Sequence, residues 1–420
     1  MNYQEALNYI HTNFWQGSKP GLERTYALLE KMGNPQNKLK FIHVAGTNGK
    51  GSFCAMLSSI LRKANLKVGT FTSPYIVRFN ERMKVNGKDI SDKTLAQLTT
   101  WIQPLADSLE EKPTEFELIT ALAMEYFHRE KCDIVVLECG MGGRLDSTNT
   151  ISSSVLSVIT GISLDHTAFL GNSIREIAFE KAGIIKRGCP VLYCGECGEA
   201  ENVIQQIAKE KNAPFFTVNR EDLIIHKTDL NGTIFSANGF KELTLALLGS
   251  YQPKNAQNVL KAIEQMTLQG YQIPEKAIRE GLKEVKWPAR FEVVSKSPIL
   301  ICDGGHNPEG VESAVESVKM YFGKEKIILI TGVMADKDYN YMASKMAEVT
   351  QNAICIQPSN PRALEAKVLA EVFQKLNVDA KAAASPKEAL LFAFDLAKKE
   401  KLSILCLGSL YMYGEIISAL

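Results

Sequence analysis

The segment Val44-Ala45-Gly46-Thr47-Asn48-Gly49-Lys50-Gly51-Ser52 constrains this chain more than any other. It follows the apolar run FIHVAG (41–46) and leads into GSFCAMLSSILRKANL (51–66), where apolar residues recur at helical spacing. A buried strand, a glycine-rich turn and a helix form the entry unit of a parallel α/β sheet. Glycines let backbone N–H groups turn toward an anion, and the helix N-terminus adds the positive end of its dipole. Lys50 can reach terminal phosphates and Ser52 can ligate Mg²⁺. The strict phosphate-loop pattern needs Gly at position 44 and Ser or Thr directly after the lysine; Val44 and Gly51 make this a variant form. The competing reading is an ordinary glycine-rich turn between strand and helix.

The rest of the first half repeats the alternation. Runs 67–74, 132–140, 155–162 and 190–195 are near-continuously apolar, as parallel strands are, and helical spacing appears at 92–108, 115–130 and 174–185. This predicts a doubly wound, mostly parallel sheet. Residues 214–248 instead hold short strand-like pieces with turn signals at Asn231-Gly232 and Asn238-Gly239, which predict a small antiparallel addition at the edge of the first domain. Helices are expected near 253–270 and 274–284. The pattern changes at Trp287-Pro288-Ala289-Arg290; runs 298–305, 326–333, 353–358 and 402–409 then predict the strands of a smaller Rossmann-like α/β domain. The expected domains are 1–290 and 291–420, with the boundary within 285–297; a chain of 420 residues accommodates two.

Composition excludes several classes. A formal net charge of +1 gives no global reason to bind nucleic acid or an acidic membrane surface. No stretch of 18 uninterrupted apolar residues predicts a membrane-spanning helix. The first residues, MNYQEALNYIHTNFWQGSKPG, lack the basic and apolar regions of a signal peptide, so the expected location is cytoplasmic. The nine cysteines are odd in number and lie mostly in apolar runs, which reads as reduced, buried thiols. Cys194-Gly-Glu-Cys197 has no second pair at zinc-like spacing.

Polar residues cluster at predicted strand ends, where ligands bind in open α/β sheets. Glu138 ends VVLECG and is placed to hold Mg²⁺ with Ser52; the alternative is a capping or salt-bridging glutamate. A flexible loop, Gly140 to Asp146, follows. Asp165-His166 ends the next strand, beside the expected Mg²⁺ site. Lys181 sits among apolar neighbours in FEKAGIIK and reads either as a surface lysine or as a partly buried one. Buried beside metals it would be costly unless its charge were removed, and carbamylation by CO₂ would turn it into an anionic ligand. In the second domain Asp303-Gly304-Gly305-His306-Asn307-Pro308 and Lys337-Asp338 follow strands, and Arg290, suited to bridging phosphate oxygens, precedes them. The economical expectation is a nucleotide held between the domains, with closure completing the site.

These residues resemble the folylpolyglutamate synthase family, with its dihydrofolate synthase branch, within the Mur ligase superfamily. The resemblance runs from GTNGKGS (46–52) through TSPYIVRFNERMKVNG (72–87), TEFELITALA (114–123), ECGMGGRLDSTN (138–149), ITGISLDHTAFLG (159–171), EKAGII (180–185), WPAR (287–290), DGGHNP (303–308) and DKD (336–338) to LGSLYMYGE (407–415). It implies an ATP-binding central domain, a C-terminal glutamate-ligase domain and an amide-forming reaction. ATP would phosphorylate a pterin-linked carboxylate, L-glutamate would attack the acyl phosphate, and ADP and phosphate would leave. The implied pterin is dihydropteroate, tetrahydrofolate or both. The implied cofactors are ATP, two Mg²⁺ ions and a monovalent cation, and the implied state is a monomer.

By matching positions, the resemblance implies that Asn48, Gly49, Lys50, Gly51, Ser52, Asn255, Arg290 and Asp303 contact ATP. Ser52, Glu138 and His166 would ligate Mg²⁺, with carbamylated Lys181 supporting a second ion. Lys50, Lys181 and His306 would serve catalysis, His306 near the phosphates or the glutamate. Gly21, Leu22, Glu23, Arg24, Ser73, Glu115, Phe116, Glu117, Leu118, Leu145, Asp146 and Ser147 would form the pterin side. The chain departs from the family pattern in Tyr75, where His is frequent, in WPAR for WPGR and in DGGHNP for DGAHNP.

Two rival readings remain. A peptidoglycan-precursor Mur ligase often carries a separate N-terminal domain, whereas about 45 residues precede the phosphate loop here. A non-catalytic nucleotide switch would need the loop but not Glu138, His166, Lys181 and His306 together.

Overall fold

A computed structural model describes residues 1–12, 21–165 and 167–420. His166 therefore lies outside the described residues. The chain divides into two compact units: Met1–Asp222 with Asn255–Glu284, and Leu223–Lys254 with Val285–Leu420.

The first unit is built on an eight-stranded sheet. Its strands are β1 (Phe41–Ala45), β2 (Val68–Phe71), β3 (Met83–Val85), β4 (Lys88–Asp89), β5 (Ile134–Glu138), β6 (Leu156–Ile159), β7 (Val191–Tyr193) and β8 (Phe215–Thr217). Their spatial order is β4-β3-β2-β5-β1-β6-β7-β8. β3 pairs antiparallel with both β2 and β4, and the remaining neighbouring pairs are parallel. β1 is buried at all five positions because helices cover the sheet, which is why it reads as an apolar run broken only by His43. β1 lies between β5 and β6, so the loops leaving the three carboxyl ends are brought side by side. Helix starts are fixed locally. Thr114 caps Glu115–Arg129 and Ser173 caps Ile174–Ala182, each in a reciprocal box with the glutamate three residues on.

The second unit holds two sheets. β9 (Ile224–Asp229), β10 (Gly232–Ala237) and β11 (Phe240–Leu245) form an antiparallel sheet of their own. This antiparallel piece groups with the second unit and does not extend the first sheet. The segment after β11 explains why. Leu248 joins the apolar core of the second unit, Gly249 N–H donates to Tyr321 Oη at 3.0 Å, and Ser250 N–H donates to Ser317 Oγ at 2.9 Å. The other sheet contains β12 (Glu292–Lys296), β13 (Ile299–Cys302), β14 (Ile327–Thr331), β15 (Thr350–Cys355), β16 (Asp379–Ala382) and β17 (Ile404–Leu407), ordered β12-β13-β17-β14-β15-β16. β12 pairs antiparallel with β13, and the remaining pairs are parallel.

None of the nine cysteines forms a disulfide; seven are buried, and Cys189 and Cys197 are partly exposed. Among the described residues, no helix is long and apolar enough to cross a membrane.

Candidate functional site

The phosphate loop leaves β1 and opens the helix Lys50–Lys63, with Gly49 as its N-cap. Two glycines are conformationally required. Gly46 has φ +150°, and a Cβ there would lie 2.0 Å from Thr160 Oγ1. Gly49 has φ +85°, and a Cβ there would lie 2.9 Å from Asn255 Oδ1. The β6 side ties the loop down. Thr47 N–H donates to Gly161 O at 2.8 Å, and the Thr160 hydroxyl donates to Asn48 O at 2.7 Å. Thr47 Oγ1 donates to Ser163 O at 3.2 Å.

Two lysines converge on this loop. Lys50 Nζ donates to Gly46 O at 2.9 Å and to Thr47 O at 3.1 Å. Lys181, on the helix Ile174–Ala182, donates to the same Gly46 O at 2.9 Å. Lys181 is buried, with a relative exposure of 4%. Burial, reinforced by the Lys50 charge, pulls its amine down to about 7 from an ordinary 10.5. The surface-lysine alternative is therefore removed. Gly46, Thr47, Lys50, Cys139, Gly140, Met141, Gly142, Asp165 and Lys181 line one open cleft of about 270 Å³.

Glu138 ends β5 in register with Val44 of β1 and is buried, as is Ser52. Ser73 N–H donates to Glu138 Oε2 at 3.1 Å, so the loop after β2 reaches the same carboxylate. A buried carboxylate at a strand end and a buried hydroxyl in the first turn of the helix that follows the adjacent strand are hard oxygen donors of the kind Mg²⁺ prefers. Among the described residues no cluster of three or more His, Cys, Asp or Glu side chains assembles, and His166 is not one of those residues.

The pterin-side candidates fall into two kinds. Arg24 and Glu117, 93 residues apart, form a bidentate pair with Nε–Oε2 at 3.0 Å and Nη2–Oε1 at 2.7 Å. Glu117 also accepts from Thr114 N at 2.7 Å, so it caps its own helix. Leu118 is fully buried in the apolar core, Glu115 pairs with His11 at 3.3 Å, and Ser147 Oγ meets Thr120 Oγ1 at 2.7 Å. These contacts build the wall. Phe116, Leu145 and Ser73 are only partly buried. Glu23 is exposed, beside Leu22 and Gly21 (φ +138°) at the start of the helix Glu23–Lys31.

In the second unit, Asp303 is a buried hub. Its Oδ2 accepts from Tyr251 Oη at 2.7 Å and Phe291 N at 2.9 Å, and its Oδ1 accepts from Gly305 N at 2.7 Å. His306 Nδ1 lies 2.9 Å from Gly304 O; a carbonyl only accepts, so the proton is on Nδ1. Asn307 caps the helix Pro308–Phe322 through Gly310 N at 2.8 Å. Asp338 likewise caps Tyr339–Ala347. Arg290 Nη1 donates to Ala289 O at 2.9 Å. Ala289 has φ +56° and is fully buried. This left-handed backbone is the one glycine adopts without cost, which explains the family's preference for WPGR. Ala289→Gly is expected to stabilise the protein by about 0.5–1 kcal/mol, the net of relieved strain and added unfolded-state freedom. Urea-unfolding midpoints of the two proteins measure it.

The sequence reading missed Thr160 and Ser163, which hold the loop, because a hydroxyl near a strand end carries no signal of its own. It also missed the buried His43 behind the site.

Comparison with known proteins fits this geometry. Residues 44–265 match the Mur ligase middle domain and residues 289–410 match the Mur ligase, glutamate ligase domain. The chain is 37% identical to the dihydrofolate synthase/folylpolyglutamate synthase of Bacillus subtilis over 99% of its own length and 98% of that protein. Among solved structures, Mycobacterium tuberculosis folylpolyglutamate synthase complexed with ADP and AMPPCP superposes with a TM-score of 0.90 at 27% identity, covering 99% of this chain and 98% of that one. The Escherichia coli protein in complex with DHPP and ADP superposes with a TM-score of 0.87 at 30% identity, covering 100% and 97%.

Proposed function

The chain belongs to the folylpolyglutamate synthase/dihydrofolate synthase family of Mur ligases, and from that premise we propose how its residues divide the work. It is an ATP-dependent amide-forming ligase that adds L-glutamate to a folate-type pterin carboxylate through an acyl phosphate, releasing ADP and phosphate. The observation that carries the assignment of roles is the convergence of Gly46, Lys50, Gly140, Asp165 and Lys181 on one cleft.

The backbone of Asn48 to Ser52 cradles the triphosphate, with Asn255 against Gly49. Lys50 exchanges its carbonyl partners for phosphate oxygens and neutralises charge during transfer. Ser52, Glu138 and His166 would hold Mg²⁺, and carbamylated Lys181 would support a second ion; these ions supply charge stabilisation at the phosphoryl group. Arg290 and Asp303 act on ATP, and His306 on the phosphates or the incoming glutamate. Gly21 to Arg24, Ser73, Glu115 to Leu118 and Leu145 to Ser147 form the pterin side, Glu117 and Leu118 by shaping it from within. A monovalent cation, a monomeric state and a cytoplasmic location complete the reading. So does dual use of dihydropteroate and tetrahydrofolate.

Incubation with ATP, L-glutamate and either pterin tests the function. Phosphate release that requires both pterin and glutamate is expected with each. No release with either pterin would sink the reading, and release with only one would reduce it to a single activity.

A further inference from the structure

Behind the cleft, a buried hydrogen-bond chain runs from β1 to the loop Gly140–Asp146. His43, at the middle of β1, and Thr148 are both fully buried. Asp146 Oδ1 accepts from Thr148 N at 3.0 Å and from Thr148 Oγ1 at 2.5 Å. Thr148 Oγ1 also lies 3.4 Å from Cys139 Sγ, a weak acceptor; the much shorter carboxylate contact takes the single hydroxyl proton, and the oxygen then accepts from His43 Nε2 at 2.9 Å. This fixes the Nε2–H tautomer of His43, with Cys139 Sγ as a second neighbour of that nitrogen at 3.1 Å. His43 Nδ1 is buried with no hydrogen-bond partner. A charged imidazolium would leave an orphaned N–H there, and both burial and the Lys186 charge hold the ring neutral.

The chain ends at the cleft. Asp146 Oδ2 accepts from Met141 N at 2.9 Å, which pins the loop that lines it. Gly140 is packed so closely on Phe116 that a Cβ would lie 2.6 Å from Phe116 Cζ. A rotation of the Asp146 carboxylate would therefore move Met141, Gly140 and the ring of Phe116 together. Ser147 is held separately, by Thr120.

We propose that the Thr148 hydroxyl, oriented by His43, is a positioning element for pterin recognition: it fixes the rotamer of Asp146 and through it the seat of Phe116. The proposal rests on the reading that Asp146 and Phe116 face the pterin. Neither Thr148 nor His43 touches substrate. Gly140 and Met141 also line the cleft assigned to the phosphates, but the phosphate loop itself hangs from other anchors, Thr160 and Thr47, so loss of the hydroxyl weighs on the pterin more than on ATP.

The test is steady-state kinetics of Thr148→Val, Thr148→Ser and His43→Phe with dihydropteroate and ATP varied in turn, alongside thermal unfolding. Thr148→Val keeps the shape and removes the hydroxyl. It is expected to raise KM for dihydropteroate by about tenfold or more, the worth of a hydrogen bond to a charged group. KM for ATP should stay within about twofold, and Thr148→Ser should recover most of the loss. His43→Phe, which removes the donor and keeps a ring, should show the same selective rise. An unshifted pterin KM, a parallel rise in both KM values or no recovery with serine overturns the proposal. Wild-type turnover of dihydropteroate is the control: its absence removes the functional reading as well, whereas turnover with an unshifted Thr148→Val removes this proposal alone.

Discussion

Lys181→Ala is expected to lower kcat/KM by about 10²–10³-fold, the usual loss when one preorganised electrostatic group is deleted from a phosphoryl-transfer site. The residue is buried, shares Gly46 O with Lys50, and lines the cleft. Unmodified, the two lysines direct two amines at one carbonyl, and the Lys50 charge disfavours protonation of Lys181. A carbamate would make Lys181 an anion beside the Lys50 cation. Added acetate, which can occupy the vacated volume and supply a carboxylate, should restore part of the activity of Lys181→Ala but not of Lys50→Ala. An alanine variant as active as the parent would remove the carbamate from the mechanism.

The unmodified amine has a pH signature of its own. Its pKa is about 7 folded and 10.5 when free, so between those values the unfolded chain binds a proton that the folded chain does not. Folding stability therefore rises with pH across that window, and the full penalty is felt below it. Urea-unfolding midpoints in CO₂-free, metal-free buffer should show this slope, and Lys181→Met should flatten it. An equal slope in both proteins would mean that the amine is not buried.

Gly46→Ala is the second large effect expected. At φ +150° the added Cβ would stand 2.0 Å from Thr160 Oγ1, inside any allowed contact. Thr160 cannot retreat freely, because its hydroxyl holds Asn48 O and its N–H holds Ala45 O. The backbone strain alone costs about 1–3 kcal/mol, and the clash adds to it. The loop should open and nucleotide affinity should fall by at least about 10²-fold, measured by calorimetric titration with an ATP analogue. The Thr160→Gly double variant, which clears the space, should recover affinity in part. Unchanged nucleotide binding by Gly46→Ala would show that this backbone conformation is not needed.

The strands that position this site are legible in the sequence. β1, β5 and β6 are predominantly apolar runs because both faces of the sheet are covered, and each ends in or is followed by glycines or acids at the end where ligands bind. What escaped notice has physical reasons too. β16, Asp379–Ala382, is an edge strand with only Ala380 buried, so it carries no apolar signal. β12 is a partly exposed antiparallel edge for the same reason. Residues 223–254 read as part of the preceding domain because proximity in sequence was the available guide. Their allegiance is set by Leu248, Gly249 and Ser250, whose partners lie about seventy residues further on.

The order of motifs from Gly46 to Glu415 was enough to show the resemblance to the family and so to imply its reaction, since each motif is local. Only the tertiary structure decided the state of particular side chains. It made Lys181 a buried, proton-poor amine, matched Arg24 with Glu117, and stood His43 behind Thr148 and Asp146. Burial and hydrogen-bond partners set charge, tautomer and rotamer, and those partners lie 93, 105 and 135 residues apart along the chain. No local pattern encodes them.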